Sequence, residues 1–225
     1  DIKSIKTANN DITKATVSGI STKAFTGKAI TQNVTVKVGN TVLKNGTDYT
    51  VSYSNNKNVG TSNVYVYGKG NYSGSLSAKF DIVPAKQQIQ KLETRFKGFF
   101  IDWAQKGSAT GYEIEYSTNA DFKDSTVKKL TANKPDTLTI SGLTAGNKYY
   151  VRVRSYTNVG EKVYYGAWSD SKNITAAKYD ITKSAISGIS TKTYTGKNIT
   201  QSVKVKYNGK TLKSGTDYTV SYSSN

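Results

Sequence analysis

Apolar and polar residues alternate along long stretches of the chain. "NVTVKV" at 33–38, "DYTVSYS" at 48–54, "SNVYVYG" at 62–68 and "SLSAKFDIV" at 75–83 each put every second residue on a common face. That is the period of a half-buried strand. In 48–54, Tyr49, Val51 and Tyr53 share one face, while Thr50 and Ser52 share the other. "GNT" and "GKGNYSG" separate these runs with turn chemistry. Six or seven short strands at this spacing predict an antiparallel β-sandwich over residues 11–84.

The pattern returns. Displacing the chain by 169 residues lays 180–225 on 11–56 without a gap, and about two-thirds of positions are identical. "GTDYTVSYS" occurs unchanged at 46–54 and 215–223. The match extends backwards through Asp1/Asp170, Lys3/Lys172, Ile5/Ile174 and Ala8/Ala177. A long-period repeat signals an array. Character changes after "FDIVPAKQQ" and again at "TAAKYD" (175–180), two short linkers. The expected organisation is therefore a last-strand remnant at 1–10, a sandwich at 11–84, a second domain at 85–178 and the N-terminal part of a repeated sandwich at 179–225. The first "GTDYTVSYS" leads into residues 57–83, which have no counterpart after the second. Residues 179–225 are thus expected to need strands from elsewhere, paired to a strand containing Tyr218, Val220 and Tyr222.

Composition agrees with an all-β chain: Thr, Val and Tyr suit pleated surfaces, and Gly and Asn suit turns. Cys, Met and His are absent. Disulfides, thiolate chemistry, imidazole catalysis and the commonest zinc ligands go with them. No run of about 18 apolar residues offers a membrane span, and no signal-peptide pattern opens the sequence. The net charge is +17, but the only arginines are Arg95, Arg152 and Arg154, and the lysines are scattered. Readers of base edges and phosphates use Arg forks. Weak, salt-sensitive contact with anionic polymers is expected, and specific nucleic-acid recognition is not.

Two resemblances sharpen this reading. "GTDYTVSYSNNKNVGTSNVYVYGKGNYSGSLSAKFDI" resembles the immunoglobulin-like repeats of bacterial, especially clostridial, cell-surface proteins. Residues 86–174 resemble a fibronectin type III module. Trp103 in "GFFIDWAQ" matches that family's core tryptophan on the second strand, and "GYEIEYS" (111–117) its third strand. "LTAGNKYYVRVRSY" (143–156) matches its Leu, turn, Tyr, alternating-Val pattern, with Leu143 and Tyr149 in the structural positions. "YYGAWS" (164–169) would open the last strand. Ala145 stands where the family often has Pro, and no integrin-type RGD is present. The resemblances imply tandem antiparallel β-sandwiches, immunoglobulin-like and fibronectin type III, the last one incomplete.

Catalytic chemistry is not expected. Glu113 and Glu115 share a strand face, as do Arg152 and Arg154 on the strand that pairs with it, so cross-strand ion pairs on a solvent face account for both. Asp121 and Asp124 lack the ligand spacing of a calcium loop. The chain is therefore read as a non-enzyme with no cofactor and no metal. Adjacent tyrosines on a strand point to opposite faces. Tyr164 and Tyr165 follow the turn "NVGEK", the loop that many fibronectin-type domains use for binding, and are the candidate ligand contacts.

Three functions follow from the resemblances, all extracellular at the cell surface or wall of a Gram-positive bacterium: a stalk that spaces an adhesive head; repeats that themselves capture a host protein, immunoglobulin included, or a glycan; and an accessory or carbohydrate-binding module of a secreted carbohydrate-active enzyme.

Overall fold

The computed structural model describes residues 10–104, 107–134 and 136–223. The expected strand remnant at 1–10 lies almost wholly outside them. The described chain is all β apart from one turn of 3₁₀ helix at Ile181–Lys183. No helix among the described residues is long and apolar enough to cross a membrane.

The first unit holds β1 (Asn10–Asp11), β2 (Thr16–Ser18), β3 (Lys23–Ala24), β4 (Thr35–Val38), β5 (Thr41–Val42), β6 (Tyr49–Ser54), β7 (Gly60–Gly68), β8 (Tyr72–Ser73) and β9 (Ser75–Val83). One sheet runs β2-β4-β5, the other β3-β9-β7-β6. The alternation read from the sequence decides which residues lie between them. Ile12, Val34, Val36, Leu43, Tyr49, Val64, Val66, Phe80 and Ile82 form one buried cluster, with Val51 and Tyr53 packed against it. β6 pairs antiparallel with β7 from Tyr49↔Gly68 to Ser54↔Asn63, and β7 pairs with β9 from Gly60↔Ile82 to Tyr67↔Ser75. The β7–β9 hairpin thus supplies four of the nine residues of this core.

The second unit holds β10 (Ile89–Arg95), β11 (Gly98–Trp103), β12 (Gly111–Ser117), β13 (Thr126–Leu130), β14 (Thr137–Ile140), β15 (Lys148–Val159), β16 (Lys162–Tyr165) and β17 (Lys172–Thr175). Sheet β10-β11-β14 faces sheet β13-β12-β15, and β16 and β17 pair with opposite ends of β15. The expected single last strand from "YYGAWS" is therefore split. Between its halves, Gly166 N–H donates to the Ser155 carbonyl (2.9 Å) and Ser169 N–H to the Val153 carbonyl (2.8 Å), so the chain bulges without leaving the sheet. Trp103 is fully buried at the centre of the core, 5.3 Å from the Tyr112 ring. Tyr149 is buried, and its hydroxyl accepts from the Thr144 N–H at 3.1 Å, pinning the turn after Leu143. Leu143 packs on the same core.

The third unit holds β18 (Ala185–Ser187), β19 (Lys204–Tyr207) and β20 (Lys210–Thr211) in one sheet, the counterpart of β2-β4-β5. The repeat preserves even its side-chain bonds. The Tyr49 hydroxyl donates to the Val34 carbonyl at 2.7 Å, and that of Tyr218 to Val203 at 2.8 Å. The Tyr53 hydroxyl donates to Gln32 at 2.8 Å, and that of Tyr222 to Gln201 at 2.6 Å. Asp48 accepts from the Lys44 N–H and Asp217 from the Lys213 N–H, at 2.8 and 2.9 Å. One feature departs from expectation. Tyr218 makes only an isolated bridge to Ser214, and residues 219–223 form no strand. A strand exists only through its ladder, and nothing among the described residues supplies the β7 that holds Tyr49–Ser54.

Candidate functional site

The loop chosen as a ligand contact turns out to be a joint. β15 and β16 form a hairpin whose tip rests on the first unit. The Thr61 hydroxyl donates to Asp81 at 2.7 Å. Its one hydrogen is then committed, so the Tyr164 hydroxyl, 2.8 Å away, is the donor to Thr61. Lys162 closes the ring: its ammonium lies 2.9 Å from Asp81 and 4.5 Å from the centre of the Tyr164 ring. Burial works to raise the Asp81 carboxyl, but the bonds from Thr61 and Lys162 and the lysine charge outweigh it and hold it below its ordinary value. The bond to Asp81 raises Lys162 above its own. Beside the ring, Val159 faces Gly60, and the linker presses on Gly166: a β-carbon there would sit 2.8 Å from the Pro84 carbonyl oxygen. Only glycine allows that approach.

This corrects the placement of Tyr164. Its side chain is 5% exposed, enclosed against the first unit and not presented to solvent. Tyr165, on the opposite face, is 36% exposed. It ends a ladder of alternating rings and cations along the outer face of β12 and β15. The Arg152 guanidinium lies 3.9 Å from the Phe122 ring centre and 4.8 Å from Trp168, and Arg154 lies 4.3 Å from Trp168 and 4.2 Å from Tyr165. Beneath, Glu115 bonds Arg152 at 2.6 Å and Glu113 bonds Arg154 at 2.7 Å. The expected cross-strand pairs are therefore present in the register Glu113↔Arg154 and Glu115↔Arg152. Their surroundings differ from expectation: both glutamates are buried under the ladder, not on an open solvent face. Each cation–ring contact contributes about 0.5–2 kcal/mol. Glu113 meets Lys129 as well as Arg154, and Glu115 accepts from the Ser125 hydroxyl at 2.6 Å as well as from Arg152, so both carboxylates are held in internal contacts.

A second joint links the middle unit to the third. Phe96 and Tyr179 stack with ring centres 3.4 Å apart, and Tyr179 meets Tyr207 at 5.0 Å. Lys97 reaches Asp217 at 3.5 Å. The backbone joins too: Lys97 N–H donates to Ala177 (3.0 Å), and Ala177 N–H to Arg95 (2.9 Å). Part of the expected linker 175–180 thus belongs to the middle unit. Sequence reading missed both joints because their partners lie far apart along the chain. It also passed over Tyr65 and Tyr67 on the outward face of β7, which stack at 6.5 Å, with Tyr67 46% exposed. The "VYVY" alternation was the available signal.

Among the described residues, no group of three or more His, Cys, Asp or Glu is placed to hold a metal ion.

Two facing sheets with a buried tryptophan and a pinned tyrosine turn define a small β-sandwich module with bonded ends. The model of the family "Fibronectin type III domain" matches residues 94–170, so a fibronectin type III domain is present in the middle of this chain. No curated protein matches the chain. Among solved structures, the FN1–FN3 domains of chicken CNTN1 are similar at 20% identity and a TM-score of 0.38, over 54% of this chain and 42% of that one. A structure described as "Myokine structure" is similar at 10% identity and a TM-score of 0.36, over 42% of this chain and 99% of that one.

Proposed function

We propose that the chain is a stretch of a non-catalytic extracellular array on a bacterial surface protein, in which sandwich and fibronectin type III domains alternate as a semi-rigid stalk. The units run 11–84, 85–178 and 179–225, with 1–10 closing a preceding domain of the second kind. The observation that carries this reading is the bonding of both joints: Tyr164–Thr61–Asp81–Lys162 at one, Phe96–Tyr179 and Lys97–Asp217 at the other. Free beads on flexible linkers have no such side-chain contacts. The partner is a host extracellular protein, immunoglobulin among them, or a glycan. We assign contact to the outward-facing pair of half-buried Tyr65 and exposed Tyr67 in place of Tyr164, because stacked rings offer area at small entropic cost. Repetition then multiplies weak sites by effective concentration.

The absence of cysteine makes the test clean. Cysteines introduced at the exposed positions Thr41 and Lys210, with donor and acceptor dyes, should give one narrow distance distribution. Thr61→Ala with Lys162→Ala should broaden it. A broad distribution in the parent refutes the stalk. Binding to immobilised immunoglobulin, matrix proteins and glycans should fall in Tyr67→Ala. Attraction to heparin or teichoic acid should vanish with added salt.

A further inference from the structure

The outward face of β7 carries more than a pair of tyrosines. The registers with β6 and β9 set its rows. Tyr67 lies between Thr50 and Ser75, Tyr65 between Ser52 and Ser77, and Asn63 between Ser54 and Lys79. Thr61, beside Asp81, ends the line at the first joint. From Tyr67 to Thr61 this strip runs about 20 Å, at about 3.3 Å per residue. There it meets an open cleft of about 590 Å³ lined by Ser21, Thr22, Thr61, Lys79, Asp81 and Lys162.

We propose that this strip binds a carboxylated glycan, a sugar chain that includes uronic acids. The inference rests on the contact assigned above to Tyr65 and Tyr67, and names its ligand. Sugar rings lie on the two tyrosines through their apolar C–H faces, which suit the negative face of an aromatic ring. Sugar hydroxyls, each donor and acceptor, pair with the Ser and Thr hydroxyls beside the rings, which have the same dual capacity. A carboxylate further along the sugar chain takes a charge-assisted bond from the Lys79 ammonium in the cleft.

Three observations favour this ligand over a protein surface or a dense polyanion. The rings are flanked by short hydroxyl residues: Thr50, Ser52, Ser75 and Ser77 are all exposed. Tyr165 shows the opposite arrangement, with Lys129 and Arg154 over its ring at 5.9 and 4.2 Å. The two tyrosine rows are also uncharged, in a chain with 32 lysines and arginines. A polyanion would find more cations on other surfaces, whereas hydroxyls around bare rings suit a polyhydroxylated chain. The platform is already held. Asn63 Nδ2 donates to Ser54 Oγ at 3.2 Å, and Ser54 Oγ lies 3.4 Å from the Tyr65 hydroxyl, so little ordering remains to oppose binding.

The cleft adds specificity. Asp81 already accepts from the Thr61 hydroxyl at 2.7 Å and from Lys162 at 2.9 Å. Lys79 is exposed and has no ion-pair partner among the described residues, so the cleft has one cation left over. The ligand therefore needs a carboxylate at that point and neutral sugars on the tyrosine rows, which is sparse charge at a fixed spacing.

The experiment titrates the full 225-residue chain with a short hyaluronan oligosaccharide, in which N-acetylated and carboxylated sugars alternate, by calorimetry and amide NMR. A neutral chitin oligosaccharide and polyglutamate serve as comparisons. At about 0.15 M salt, saturable hyaluronan binding is expected, with shifts confined to amides of 50–54, 61–67 and 75–81. The chitin oligosaccharide should bind at least about tenfold more weakly, and polyglutamate not at all. Tyr67→Ala should weaken hyaluronan at least about tenfold, and Tyr67→Phe, which keeps the ring, should not. Lys79→Gln should erase the preference for hyaluronan without altering the melting of the first unit, so the result does not depend on how the tyrosine variant folds. The proposal is overturned if hyaluronan does not bind, if polyglutamate displaces it, or if the two oligosaccharides bind the parent equally. It is also overturned if Tyr67→Ala or Lys79→Gln binds as the parent does. Capture of immobilised immunoglobulin or matrix protein that Tyr67→Ala abolishes, with no glycan bound, would overturn the glycan and leave the tyrosine contact standing. Tyr67-dependent hyaluronan binding by a chain whose dye-to-dye distribution is broad would uphold the glycan and refute the stalk alone.

Discussion

Residues 46–54 and 215–223 carry the same nine amino acids and make the same tyrosine hydroxyl bonds to the sheet beneath them. In the first, Tyr49–Ser54 is a strand and Tyr49 is 2% exposed. In the second, 219–223 form no strand, and Val220 and Tyr222 are each 40% exposed. Local sequence, turn and anchor are held constant, so the difference is the worth of the β7–β9 hairpin alone. Side-chain anchors set where a segment lies. The ladder on its free edge decides whether it is a strand. β-propensity here is a readiness to pair, which a neighbour must complete.

The largest effect should come from emptying a closed core. Phe80→Ala should cost the first unit about 3–5 kcal/mol and push it toward the open state of the third, and Trp103→Ala should cost the middle unit as much. Calorimetry reads both as lowered melting temperatures. A Trp103→Ala chain that melts like the parent would mean that the core is assigned wrongly.

Next, the paired tyrosines should separate. Tyr49→Ala should also cost about 3–5 kcal/mol. Tyr218→Ala should cost about 0.5–1.5 kcal/mol, little more than its hydroxyl bond. Equal costs in denaturant titrations would erase the contrast between closed and open units.

Hydrogen exchange tests the backbone directly. Amides of β6 should open only with their whole unit, while those of 219–223 should exchange as frayed chain does. Comparable protection in the two would break the comparison.

A smaller change should be symmetric. Tyr53→Phe and Tyr222→Phe each remove one hydroxyl bond of the same geometry, so each should cost about 0.5–1.5 kcal/mol. A marked inequality would show that the anchors depend on the hairpin.

The smallest effect concerns the first joint, whose counterpart at the second lacks the tyrosine relay. Asp81 is held below its ordinary value, so its contribution is full above the ordinary carboxylate pKa of about 3.9 and is lost as pH falls through the folded value. Lys162 is raised, so its contribution is full below about 10.4 and is lost as pH rises through its folded value. Between these limits the dye-to-dye distance distribution should stay narrow, and it should broaden as pH passes beyond either of them. Asp81→Asn should remove the acid step.

Much of this was legible in the chain. Period-two alternation located β4, β6, β7 and β9 within two residues at most ends, because a strand with one buried face must alternate. The resemblance to fibronectin type III modules set Trp103, Tyr149 and Leu143 in a core, where the structure has them. That the glutamates would meet the arginines followed from two paired strands each carrying like charges at alternate positions, and only the ladder decided that Glu113 faces Arg154 and Glu115 faces Arg152. The burial of Tyr164 is not legible in the sequence, for a physical reason. Alternation tells which of two neighbours shares a face, but it does not tell what covers that face. Thr61 lies 103 positions away, and no local rule pairs them.

The amino-acid sequence by itself determined the class of fold, the repeat, the turns and the inward face of each strand, since these depend on backbone sterics and on periods of a few residues. Tertiary structure alone decided which loops became joints, that the glutamates lie under a ladder of rings and cations, and that one of two identical segments is a strand. Those outcomes depend on surfaces brought together from distant parts of the chain, and a hydrogen-bond ladder or a stacked ring has no energy until its partner arrives.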